Sequence, residues 1–173
     1  MYGRVASDRI RQGEILSNVP EFVVNPGTED VAVVPRLFTV VLTPDCDLER
    51  DWTARHQGIR SDLRSVTFIA GIDANDRVLI PASAWGRVKK NDQANAHSIE
   101  KCEKSDDLGD RGFPPLVFQF KNLFSVPVDL IYSKIKDGSI IRRSQLLSPY
   151  RDHLIQRFCS FFGRVALEVD HNF

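Results

Sequence analysis

The chain has 173 residues, 42% of them apolar and 27% charged, with 23 Lys plus Arg against 23 Asp plus Glu. Such a length and composition fit one well-buried domain, residues 1–173, and exclude a disordered or fibrous chain; the balanced charge excludes a general field that would draw the molecule to nucleic acid or an anionic membrane, so any basic site must be local. The opening MYGRVASDRIRQGEIL lacks the apolar core of a signal peptide, no run approaches 18 apolar residues, and the three cysteines, Cys46, Cys102 and Cys159, are irregularly spaced, so the expectation is a cytoplasmic protein with reduced thiols, no disulfide framework, no metal and no cofactor.

RIRQGEILSNV, residues 9–19, places Gly13 between a polar start and a short apolar run and predicts a first strand. Phe22 to Val24 continue it, NPGTED at 25–30 predicts a turn with Gly27 at positive φ, and VAVV at 31–34 predicts the return strand. A loop at Pro35 and Arg36 leads to LFTVVLT, 37–43, whose Phe, Val and Thr put apolar bulk on both faces and predict a central strand. TPDCDLERDW then reads as an acidic loop, and ARHQGIRSDLR as loop or one short helical turn. SVTFIAGI, 65–72, is a strand and DAND, 73–76, a turn; RVLIPASAW, 77–85, is a strand or the start of a short helix. Residues 89–112 are polar and charge-rich and predict a mobile insertion. LVFQF, 116–120, and LFSVPVDLIY, 123–132, restore the strand pattern, with Pro127 confining the second to an edge or a bulge.

The last forty residues change period. Ser148 and Pro149 form a helix-start signal, with Ser148 as cap and Pro149 in the first turn. Tyr150, Leu154, Phe158, Phe161, Phe162 and Val165 then share one helical face, with Arg151, Asp152, Gln156, Arg157 and Ser160 largely on the other. The prediction is a mainly β, α+β fold: a small SH3-like antiparallel barrel or curved sheet over about 9–132, closed by an amphipathic helix over about 148–165.

The Gly-Glu-Ile strand, the turn-rich hairpin, Arg36 and the apolar strand Thr39 to Leu42 resemble the start of the PemK/MazF-type toxin barrels, over residues 10–45. That resemblance implies a metal-independent endoribonuclease fold, with Arg36 in the position of an arginine that stabilises the transition state, and a toxin–antitoxin or phage-defence setting. Leu37 stands where the family has proline, and FIAGID lacks the family's Thr or Ser after the next strand. TPDCDL and LLSPYRDHLIQRFCSFFGRV are similar to a bacterial family to which no activity attaches.

Asp45, Cys46, Asp47, Glu49 and Asp51 allow three readings: a cysteine nucleophile served by His97 or His56, a cation site, or a solvated acidic loop around a small buried cysteine. DCDLERD lacks the glycine and terminal glutamate of a calcium loop, and neighbouring carboxylates oppose a thiolate, so the solvated loop is preferred. Arg9, Arg11 and Arg36 with Trp52 would make an RNA groove if they converge; Lys89, Lys90, Arg142 and Arg143 are further scattered pairs. His153 and His171 read as surface or packing histidines. Tyr150, Phe158, Phe161 and Phe162 make a face broader than a small barrel covers, which predicts self-association or a protein partner. The leading reading is an accessory binding module acting through a protein or nucleic acid; an endoribonuclease using Arg36, and then a hydrolase using Cys46, are its rivals.

Overall fold

In the computed structural model, residues 1–5, 7–76, 81–103 and 112–163 are described. Their elements in chain order are β1 (Tyr2–Gly3), β2 (Glu14–Ser17), β3 (Val19–Val24), β4 (Val31–Arg36), β5 (Phe38–Val41), α1 (Asp45–His56), β6 (Ser65–Asp73), α2 (Ala82–Lys89), β7 (Ala96–Ile99), β8 (Leu116–Pro127), α3 (Val128–Lys136), β9 (Ile141–Leu146) and α4 (Tyr150–Phe162). The protein is mainly β with four helices among the described residues, including one near the C-terminus.

Seven strands form one antiparallel sheet in the order β1-β9-β2-β5-β6-β8-β7, and β3 and β4 form a separate two-stranded ribbon. β5 is the middle strand, as its two-faced apolar pattern predicts. Register shifts at Ile15/Leu16 and Ile69/Gly71 bend the sheet. The sheet curls into a half-barrel, and side chains bridge its two ends: Tyr2 Oη on β1 donates to the carbonyl of Glu100 beyond β7, and the Tyr2 ring stands edge-on to Phe113 at 5.1 Å. Gly71 belongs to this curl, because a Cβ there would lie 2.8 Å from the ring of Phe118.

Both faces of the sheet are covered. Ile15, Val40, Ile69, Phe118 and Phe120 point to the α4 side, where Leu154 is fully buried. Their strand neighbours Leu16, Val41 and Phe68 point the other way, onto Leu48 of α1 and Val128 and Ile131 of α3. A smaller cluster of Ala74, Val88, Ala96 and Val117 seats α2. Gly13 makes the turn into β2 at φ 80°, and a Cβ there would strike Arg151 of α4 at 2.7 Å.

Several expectations are corrected. The acidic stretch is no loop but the helix α1, with Asp45 and Asp47 in its first turn and Arg55 and His56 in its last, the arrangement the helix dipole favours. LFSVPVDLIY divides at Pro127: the first half completes β8 and the second is α3, whose Val128 and Ile131 are buried. The polar insertion contains the edge strand β7, paired with β8 through Ala96↔Gln119 and Ile99↔Leu116. In the hairpin loop the positive φ falls on Glu29, not Gly27, while the Asn25 side chain accepts the Gly27 amide. Ser148 does not cap α4 through its amides; Pro149 holds the cap position after a cis peptide bond, and Ser148 Oγ donates to Asp152. Residues 77–80, most of the stretch 104–112, Val165 and His171 lie outside the described residues.

The edge strand β7 is closed by side chains. Asn91, at φ 57°, accepts the Ser98 amide on Oδ1 at 2.6 Å and donates Nδ2 to the Ser98 carbonyl at 3.1 Å, as a neighbouring strand would. Arg157 of α4 donates to the Ala96 carbonyl at 2.8 Å.

Candidate functional site

Five of the twelve exposed large apolar residues among those described, Phe22, Val23, Val24, Val31 and Val33, lie on the β3–β4 ribbon. Its base is anchored: Val19 is fully buried in the cluster beside α1 and α3. Directly opposed residues of an antiparallel pair share a face, so Pro20/Pro35, Phe22/Val33 and Val24/Val31 make one wholly apolar side. The other side carries Glu21/Val34 and Val23/Ala32, and Arg36 pairs with Glu21 across it. Towards the tip neither side is covered: Val23 is 38% exposed, Phe22 44%, Val33 57% and Val24 58%. Glu29 and Asp30 stand in the tip loop, so this arm has three carboxylates, with Glu21, against the one guanidinium of Arg36.

The predicted nucleic-acid residues fall in different settings. Arg9 is buried against α1, 3.7 Å from Asp45 and 3.3 Å from Glu49. Arg11 sits in the turn before β2, where its amide donates to Glu14. Arg36 lies at the end of β4 with its guanidinium on Glu21. Trp52 is half-buried on α1, its ring 4.1 Å from His56 and 5.7 Å from Tyr132. Behind Arg9 the Arg142 guanidinium is held by Glu14 and by the carbonyls of Ser7 and Arg9. Burial pushes the Glu14 carboxyl above its usual range, while Arg142 and Arg11 pull it back. This cluster ties the N-terminal segment to β9.

Cys46 is exposed, which corrects the expectation of a buried thiol; it occupies the first turn of α1 with Sγ 3.9 Å from Asp47. His56 stands about 15 Å further along the same helix axis. Among the described residues no group of three or more His, Cys, Asp or Glu is placed to hold a metal. On α4, Phe158 and Phe161 pack on Phe120 at 5.9 and 5.7 Å, whereas Tyr150 and Phe162 remain exposed.

Sequence reasoning missed a cavity of about 600 Å³ at the β7 edge. Trp85 and Lys89 reach it from α2, four residues apart and so on one helical face; Tyr150 and His153 reach it from α4 at a spacing of three. His97 lies between, 4% exposed, its ring edge-on to His153 at 5.3 Å and its Nδ1 buried with no hydrogen-bond partner among the described residues. Burial, helped by His153 and Arg157, pushes its pKa down to about 3, so the imidazole is neutral near pH 7. The helical spacings were visible in the sequence, but the polar character of 89–112 hid the strand that joins them.

No protein-family model matches the chain, and no curated protein matches it.

Proposed function

We propose that the protein is a binding module that holds a partner protein by its β3–β4 arm, and that the partner presents an apolar cleft with a basic margin. The observation that carries this reading is the uncovered tip of the arm, where Phe22, Val24, Val31 and Val33 form an apolar strip beside two acidic residues. A two-stranded ribbon without a third strand or a packing surface is marginal in water, and contiguous exposed apolar surface of this kind marks interaction sites. The acidic tip selects a basic margin by charge complementarity. The resemblance of residues 10–45 to the PemK/MazF-type toxins supports a bacterial toxin–antitoxin or phage-defence setting. The Arg36 guanidinium, bound to Glu21, favours binding over cleavage.

The test places a photo-crosslinking residue at Val33 in cells, identifies the captured protein and reconstitutes the complex from pure components. A defined complex that is lost in the double variant Phe22→Asp/Val33→Asp, with the melting temperature retained, is the expected result. A complex that survives both substitutions, or a crosslink only to a second copy of this chain, overturns the reading. Cleavage of a single-stranded RNA pool that disappears in Arg36→Ala replaces it with the endoribonuclease.

A further inference from the structure

The cavity at the β7 edge is separate from the arm. Its size lies within the range of small-molecule sites, about 300–1,000 Å³, and its lining combines aromatic walls with few charges. Trp85 and Tyr150 offer ring surface from two different helices, and His97 and His153 present two more rings from β7 and α4. Among the described lining residues, Lys89, Lys101 and Glu100 carry charged side chains, and Met1 lines the cavity as well. Lys101 is taken by Glu103, whereas Lys89 has no ion pair among the described residues. An ammonium without an ion pair beside aromatic walls recognises a ring that carries an anionic group. The buried His97 adds a further sign of a ligand site, because a polar side chain this enclosed ordinarily has both ring nitrogens satisfied.

We propose that this cavity binds a small aromatic anion, up to a mononucleotide in size, with Trp85 and Tyr150 against its ring and Lys89 on its anionic group. His97 is a positioning residue: its uncharged imidazole orients the ring of His153, and it contributes no charge to the anion.

The two tryptophans, Trp52 and Trp85, make the test direct. In a Trp52→Phe background Trp85 is the sole indole emitter, and AMP, UMP, benzoate, adenosine and inorganic phosphate are titrated against it, with calorimetry in parallel. At least one of the aromatic anions AMP, UMP and benzoate saturates and shifts Trp85 emission. Adenosine and phosphate each bind at least tenfold more weakly than the best of them. Lys89→Ala weakens that anion about tenfold or more, as loss of a charge-assisted contact does, and leaves adenosine unchanged. His97→Asn weakens AMP, UMP or benzoate without removing the response to Lys89→Ala. Failure of all three aromatic anions to bind overturns the proposal, as does phosphate binding as tightly as they do, or binding indifferent to Lys89→Ala. None of these outcomes bears on the arm.

Discussion

VAVV at 31–34 and FTVV at 38–41 are three residues apart and nearly alike in composition, yet Val33 is 57% exposed and Val40 is fully buried. The strand β5 has a neighbour on each side and helices over both faces; β4 has one neighbour and, at its outer end, no cover. β-branched residues favour a pleated strand in both places. What separates the two strands is the company that the topology provides, and a strand that keeps core composition without core burial has its apolar surface available for another molecule.

The comparison breaks most sharply at the core. Phe118→Ala, on β8 one strand in from the edge and fully buried, is expected to cost about 3–5 kcal/mol, the range for emptying a buried aromatic site, read as the shift in the chemical-denaturation midpoint. A loss below 1 kcal/mol would mean that the α4 side of the sheet is loosely packed.

The edge strand β7 is intermediate, and pH probes it. His97 titrates near 3 in the fold against 6.5 ordinarily. The unfolded chain therefore takes up the proton first as pH falls. Its contribution is complete above about pH 6.5 and declines by about 1.4 kcal/mol per pH unit below that, towards pH 3. Stability measured between pH 6.5 and 5 should show this slope in the native chain and lose it in His97→Leu; equal slopes would place His97 in contact with water.

A smaller effect is expected at the end of α4. Phe158 is only half-buried, with Phe120 on one side and Phe162 on the other. Phe158→Ala should cost about 2 kcal/mol, less than a fully enclosed ring, by thermal melt.

The arm is the other limit. Val33→Asp should change stability by less than about 0.5 kcal/mol, as exposed substitutions do. A loss of several kcal/mol in the isolated chain would show that the arm is supported by the fold after all.

Much of the fold was legible where pattern and burial coincide. The two-faced apolar run of β5, the strand at 65–72, the hairpin around NPGTED and the amphipathic α4 all carry their burial in local sequence. The helix α1 does not: its buried positions are Leu48 and Asp51, and a carboxylate satisfied by Arg55 disguises the inward face. The strand β9 reads IRRSQL, because Arg142 is matched by Glu14 from 128 residues away, a pairing that no window of sequence can contain. A better signal was used only at Pro149. All four helices among the described residues begin directly after a proline, Pro44, Pro81, Pro127 and Pro149, and a residue with fixed φ and no amide to leave unbonded suits that position. Of the candidate sites, the aromatic face of α4 was visible in advance. The exposure of the arm was not, because exposure depends on which strands arrive beside it.

The side-chain amide of Asn91 also guards the margin of the sheet. By occupying both backbone groups of Ser98, it fills the place where a strand from another molecule would add to the sheet. Addition of a strand at this margin is thus opposed by Asn91 together with Arg157 on the Ala96 carbonyl, and Asn suits the left-handed backbone it occupies.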